Sequence, residues 1–134
     1  MPHLVILYTK NLDAETDMSG LCRSLANTML SIRDEAGKQV FPTGGVRVLA
    51  YPAAHAAVAD GQRDYAFVYL NLRMGRGRSA EVRKRTGDEL LATARAHFEP
   101  LFAARCIGLT LQIDEGPEVF DARHSTIHPL FAGR

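Results

Sequence analysis

Pro2, which follows Met1, is the first residue in the sequence whose type and position could support catalysis. Removal of an initiator methionine before a small residue leaves a free secondary amine, and an amine that is neutral near pH 7 is a competent general base. An α-amino group titrates near ~8 in model peptides, and burial beside guanidinium groups lowers that value. A rigid N-terminus without a catalytic role is the alternative, since Pro restricts the backbone wherever it occurs.

A second candidate site is the segment 75–79, which reads Gly-Arg-Gly-Arg-Ser and joins a predicted strand to a predicted helix. Glycines let backbone N–H groups approach a ligand, a helix N-terminus favours negative charge, and Arg76 and Arg78 can bind carboxylates in a bidentate manner. Nucleotide binding is not expected, because Ala80 replaces the third glycine of GxGxxG and no P-loop Lys-Ser/Thr ending follows. The alternative is a plain turn whose arginines face solvent. Arg47 could likewise either bind an anion or face solvent.

Metal binding is not predicted. His124 and His128 have i, i+4 spacing, but Pro129 disfavours a stable helix there and no carboxylate or cysteine stands at zinc or metalloprotease spacing. Cys22 and Cys106 lie far apart and form no CxxC motif, so we interpret them as small apolar residues. We therefore expect neither a metal nor another cofactor.

Composition limits the class of protein. The chain has 134 residues, 46% of them apolar, with 16 Lys plus Arg against 15 Asp plus Glu. This length suits a single domain over 1–134, and the balanced charge gives no reason to expect nucleic acid as a partner. No apolar run approaches the roughly 18 residues of a membrane span, and no secretory signal is recognisable, so we expect a cytoplasmic protein.

Hydrophobic periodicity predicts the elements that would position the candidate residues. Alternating apolar residues predict strands, and apolar residues at steps of three and four predict amphipathic helices. The predicted strands are His3–Thr9, Val46–Tyr51, Asp64–Met74 and Ile107–Ile113, and the predicted helices are Asp17–Arg33 and Ser79–Arg105. Residues 114–134 contain Gly116-Pro117 and Pro129 and are predicted to be an irregular tail.

The order strand, helix, strand occurs twice, over about 2–52 and 64–113, at an offset of about 60 residues. Such crossovers make parallel pairs, so we predict an α/β (α+β) fold with a four-stranded sheet, mostly parallel within each unit, and two helices on one face. The strand 64–74 is partly apolar on both faces, with Phe67 and Tyr69 on the second. We therefore expect other subunits to cover that face.

Four segments in order carry a resemblance to a known family. They are Met-Pro-His-Leu-Val-Ile at the start, residues 59–68 (Ala-Asp-Gly-Gln-Arg-Asp-Tyr-Ala-Phe-Val), Gly75-x-Gly77-Arg78-Ser79, and residues 127–131 (Ile-His-Pro-Leu-Phe). Together they resemble the 5-carboxymethyl-2-hydroxymuconate delta-isomerase family of the tautomerase superfamily, along essentially the whole chain.

The resemblance implies a homotrimer in which the processed Pro2 transfers a proton along a conjugated dienol, without a cofactor, in aromatic (homoprotocatechuate) catabolism. It places the carboxylate-binding arginines at Arg47 and Arg78, which would hold a di- or tricarboxylate substrate. Arg76 is an additional cation that either enters the site or faces solvent. Residues 34–45 are longer than the family pattern, and a retained Met1 would leave Pro2 as an inactive amide. A tautomerase for another enol or keto acid, or a non-catalytic trimeric ligand-binding protein, are the alternatives.

Overall fold

The structure, a computed structural model, describes residues 2–132. Its elements follow the predicted order and differ from the predicted bounds by at most two residues. The strands are β1 (His3–Thr9), β2 (Arg47–Ala53), β3 (Ala66–Met74) and β4 (Ile107–Glu115), and the helices are α1 (Met18–Ser31) and α2 (Ala80–Ala104). Short 3-10 turns cover Lys10–Leu12, Thr43–Gly45 and His128–Phe131.

The four strands form one mixed sheet in the order β2-β1-β3-β4. β1 is parallel to β2, β3 is parallel to β4, and β1 and β3 meet antiparallel at the centre. Two βαβ units are therefore joined edge to edge, as the sequence predicts. The antiparallel junction brings the beginning of β1 beside the end of β3, which positions the site described below.

Both helices begin at capped positions and bury one stripe on the sheet. The Asp17 carboxylate accepts a hydrogen bond from the Gly20 N–H at 2.9 Å, and the Ser79 hydroxyl accepts one from the Val82 N–H at 3.1 Å. The buried stripes are Met18, Leu21, Leu25, Ala26 and Met29 in α1, and Val82, Thr86, Leu90, Ala94 and Phe98 in α2. In the described part of the chain, neither helix is long and apolar enough to cross a membrane.

The two faces of the sheet differ in what covers them. On the helix side, β1 and β3 contribute fully buried side chains such as Leu4, Ile6 and Leu70. On the other side, Leu7 and Tyr51 are 48% and 50% exposed, because no part of residues 2–132 packs over them. The prediction that this second face needs a covering subunit agrees with its exposure in the single chain.

After β4 the chain forms the predicted irregular tail. It begins where the Gly116 N–H donates to the Met74 carbonyl at 3.2 Å. It ends in the turn His128–Phe131, which packs on Gly44 so closely that a Cβ there would lie 2.7 Å from the His128 Cα. Only glycine fits at that position, so the tail is anchored at both ends.

Candidate active site

A cleft of about 410 Å³ opens where β1 and β2 begin and β3 ends. In the sheet register His3 is the partner of Arg47 on one side and of Arg73 on the other. Partners on adjacent strands point to the same face, so these three side chains form a row, which we call the basic row. All three line the cleft, together with Met74 and several tail residues.

Pro2 immediately precedes β1 and is buried, whereas His3 is exposed. Side chains alternate along a strand, so Pro2 lies on the same side as the buried Leu4 while the basic row faces the cleft. Pro2 therefore adjoins His3 in the chain, and His3 is the register partner of Arg47 and Arg73. Met1 lies outside the described residues, so the removal of Met1 and the resulting free amine remain predictions.

His3 is held toward its neutral form. Although its side chain is exposed on one side, partial desolvation in the cleft lowers the pKa of its imidazole, and the positive charge of Arg47 lowers it further, with a smaller contribution from Arg73. A neutral imidazole adds no third positive charge near pH 7. The charge of the basic row therefore comes from its two arginines.

Arg47 is half-buried at the first position of β2, and only Val46 separates it from the turn Thr43–Gly45. Its Nη1 donates to the Gly45 carbonyl at 3.4 Å, which is a long hydrogen bond. Of the three arginines predicted to bind substrate, Arg47 is the one that lines the cleft with His3.

Arg76 and Arg78 line a different cavity of about 310 Å³, beside residues 34–40. Arg78 is held by the protein itself: Nη1 donates to the Gly75 carbonyl at 2.9 Å and Nη2 to the Val40 carbonyl at 3.3 Å. Its guanidinium carbon lies 5.6 Å from the centre of the Phe41 ring, within the range of a cation–π contact. Within one chain the structure does not bring Arg78 and Arg47 into a single cavity.

The N-terminus of α2, where the sequence suggests an anion site, already has an acidic neighbour. Ser79 donates to the Glu35 carboxylate while accepting from Val82, and this hydrogen bond lowers the pKa of the Glu35 carboxyl. Gly77 has φ of +108°, a conformation that favours glycine, so the loop shape depends on that residue. A carboxylate of the chain thus lies where the sequence suggested a bound anion.

Sequence reasoning missed His3 and Arg73 as site residues. The alternation in β3 does place Arg73 on the face opposite the helices, and that signal was available. What sequence did not supply is the antiparallel register that sets Arg73 beside His3, or the course of the tail. Glu118 and residues 121–125 of the tail complete the cleft.

Together, the doubled βαβ fold and a cleft lined by arginines at the start of β1 define a small α+β protein of the tautomerase type. Solved structures of low identity share this fold. A fused 4-OT symmetric trimer is 18% identical and aligns with a TM-score of 0.62, covering 98% of this chain and 99% of that one.

Residues 2–131 match the family model of 5-carboxymethyl-2-hydroxymuconate isomerase, and the chain belongs to that family. The 5-carboxymethyl-2-hydroxymuconate Delta-isomerase of Escherichia coli is 31% identical over 131 residues, which cover 98% of this chain and 99% of the relative.

Two solved structures of higher identity agree with this assignment. A 5-carboxymethyl-2-hydroxymuconate delta-isomerase is 56% identical, with a TM-score of 0.94 over 98% of this chain and 93% of the other. A 5-carboxymethyl-2-hydroxymuconate isomerase from Deinococcus radiodurans R1 is 38% identical, with a TM-score of 0.86 over 97% of this chain and 93% of the other. The predicted family, the predicted fold and the prediction of an isomerase are confirmed.

Proposed function

We propose that this isomerase converts a 5-carboxymethyl-2-hydroxymuconate-type dienol into the corresponding unsaturated ketone, with Pro2 as the catalytic base. The observation that carries the proposal is the position of Pro2. This buried proline directly precedes His3, which lines a cleft together with Arg47 and Arg73, in a chain that matches the family over residues 2–131. The proposed setting is aromatic catabolism in the cytoplasm.

The proposed reaction is a proton relocation. The nitrogen of processed Pro2 takes the proton of the enol hydroxyl, the C–O bond becomes a carbonyl, and the conjugated double bonds shift by one position. The same nitrogen then returns a proton to a carbon of the conjugated chain, so atoms and electrons balance without an oxidant, reductant or cofactor. A neutral amine is required at the start, and nearby guanidinium groups favour that form.

The arginines have a second role in this proposal. Arg47 binds a substrate carboxylate beside Pro2 and stabilises the negative charge that develops on the dienolate. Arg78 and Arg76 line a separate cavity within one chain. We therefore propose that Arg78 reaches substrate only where subunits meet, and that Arg76 contributes long-range positive charge.

We further propose a homotrimer. Large apolar side chains are exposed on the sheet face that the helices leave uncovered, among them Leu7, Leu49 and Tyr51. We propose that other copies of the chain cover this sheet face, because a closed assembly removes its apolar side chains from water.

Two other functions compete with this proposal. A tautomerase for another enol or keto acid would use the same proline with a different preference for substrate charge. A non-catalytic trimer would bind the acid without converting it.

One assay separates the three functions. Wild-type protein, with its N-terminus defined by intact mass, is mixed with 5-carboxymethyl-2-hydroxymuconate and with phenylpyruvate, and the loss of each enol is followed by absorbance. The proposal expects fast conversion of the dienol and slow conversion of phenylpyruvate. The reverse order favours a different tautomerase, and binding of the dienol without conversion would overturn the catalytic proposal.

A further inference from the structure

Arg73 lines the cleft but is not among the candidate site residues predicted from the sequence. It is the penultimate residue of β3 and the register partner of His3. Neighbouring strands lie about 4.8 Å apart, so the Cα atoms of Arg47 and Arg73, which flank His3, are separated by roughly 10 Å. The two side chains line the same cleft from opposite sides of His3.

The side chain of Arg73 is not used by the described part of the protein. Within residues 2–132 it forms neither a hydrogen bond nor an ion pair. Other arginines near the same end of the sheet are paired, for example Arg83, whose Nη1 lies 2.7 Å from a Glu115 oxygen. An arginine without a protein acceptor that lines a cleft has five N–H donors available for a ligand.

Glu118 of the tail is a carboxylate close to Arg73. A Cβ built on Gly116 would lie 2.7 Å from Arg73 Nη2 and 2.5 Å from Glu118 Oε1, so both side-chain ends converge on this glycine. The two groups nevertheless form no ion pair. Arg73 therefore lies near a carboxylate of the tail without forming an ion pair with it.

From these observations we propose that Arg73 is a substrate-binding residue, and that it acts with Arg47 to select acids with two or more carboxylates. The inference rests on the proposed function and names a residue that determines its substrate class. Each guanidinium can hold one carboxylate through two parallel N–H···O bonds, and the spacing across β1 suits groups at two ends of a short chain. A monocarboxylate contacts only one of the two guanidinium groups at a time.

The test measures binding without relying on turnover. Adipate, a saturated six-carbon dicarboxylate, is titrated into wild type, Arg73→Gln and Arg73→Lys, and the dissociation constants are compared. We expect Arg73→Gln to weaken adipate binding by about 10-fold or more, the usual effect of losing a charge-assisted contact. Arg73→Lys keeps the charge without the bidentate geometry and is expected to give an intermediate value.

Arg95→Gln is the matched control, because Arg95 is an exposed arginine of α2 away from the cleft. It is expected to bind adipate like wild type. Removal of the competing tail carboxylate by Glu118→Gln is expected to strengthen adipate binding. The solution mass of each variant is measured in parallel, since Arg73 also lies on the uncovered sheet face.

Adipate binding that is equal in wild type and Arg73→Gln would overturn the inference, as would a failure of wild type to bind adipate. A change in solution mass with unchanged adipate affinity would likewise overturn it, because Arg73 would then act only in assembly. The adipate measurement does not require the proposed reaction to occur, so the two proposals can fail separately. Arg73-dependent adipate binding without dienol turnover would leave the inference standing while the proposed function fails, and Arg73-independent turnover would do the reverse.

Discussion

At the level of single residues, the arginines divide by what their guanidinium groups contact. Arg105 contacts Glu15 and the Asp64 carbonyl, and so holds the end of α2 to two loops. Arg78 is bound to backbone carbonyls and packs on Phe41. Substitution of Arg105 or Arg78 therefore changes packing as well as charge. Arg73 makes no such contact within residues 2–132, so its substitution is a cleaner probe of ligand binding.

His97 gives a prediction for stability against pH. Its Nε2 lies 2.8 Å from the Thr16 hydroxyl, and burial lowers the pKa of its imidazole, with Asp17 opposing that shift. The folded state therefore favours neutral His97, while the unfolded chain takes up a proton near pH ~6.5. Between the two pKa values the unfolded state binds more protons, so the free energy of unfolding falls as pH falls below about 6.5.

His97→Gln removes this titration and keeps a polar group beside Thr16. Urea unfolding at pH 7.5 and pH 5.5, at one fixed protein concentration, is expected to show a smaller acid-induced loss of stability in the variant than in wild type. His55→Gln changes an exposed histidine and serves as the control. The explanation is wrong if His97→Gln and wild type lose the same free energy of unfolding.

At the level of elements, the strands and helices follow from local pattern. The alternation in β3 and the three- and four-residue steps in α1 each identify one buried face, so these elements were predictable within two residues at each end. The pairing of β1 with β3 could not be obtained in this way. It depends on contacts between residues far apart in sequence, and a shift of register by one residue would move Arg73 to the opposite face.

The remaining parts of the candidate site were less accessible to sequence. Arg78 was named as a candidate from its Gly-x-Gly-Arg-Ser loop, but its bonds to the Gly75 and Val40 carbonyls depend on how the loop packs against residues 39–41. The tail carries no periodic pattern. Its place along the cleft follows from its anchors at Gly116 and Gly44, which only the packed structure reveals.

The cap of α2 gives a prediction at this scale. Ser79→Ala removes the side-chain acceptor of the Val82 N–H and the donor to Glu35, so we expect the free energy of unfolding to fall by about 1 kcal/mol. Ser24→Ala, at an exposed position inside α1, is the matched control. It is expected to leave stability unchanged or to raise it slightly, since alanine favours the helix interior. Equal effects of the two substitutions in urea unfolding would contradict the capping role.

At the level of the whole molecule, the uncovered sheet face has two different halves. Toward β2 it carries exposed apolar side chains, including Leu7, Leu49 and Tyr51. Toward β4 it is polar, and Asn71 donates to Asp114 at 2.9 Å across the two strands. An assembly can bury the apolar half against another copy, while polar side chains of the other half keep hydrogen bonds within their own chain.

Leu7→Lys tests the proposed trimer. A charge at the centre of the apolar half would have to be desolvated on assembly, so we expect the variant to dissociate. By sedimentation, wild type should have three times the 14.7 kDa mass of one chain, and Leu7→Lys should approach that single-chain mass. Ala92→Lys, on the exposed surface of α2, should behave like wild type. A trimeric Leu7→Lys would mean that this face is not the contact.

The proposed reaction depends on Pro2 as the base. Its most direct test is kcat/KM for 5-carboxymethyl-2-hydroxymuconate in wild type and Pro2→Ala. Alanine also permits removal of Met1, so both chains can be compared with a free N-terminus after intact mass has verified it.

A positioned general base contributes about 100-fold to 10,000-fold to a proton transfer, and the primary amine that alanine would supply lacks the ring that fixes the orientation of the nitrogen. We therefore predict that Pro2→Ala lowers kcat/KM by at least about 100-fold while its solution mass and its thermal unfolding stay close to those of wild type. Equal kcat/KM in the two processed proteins would contradict the central claim that Pro2 moves the proton.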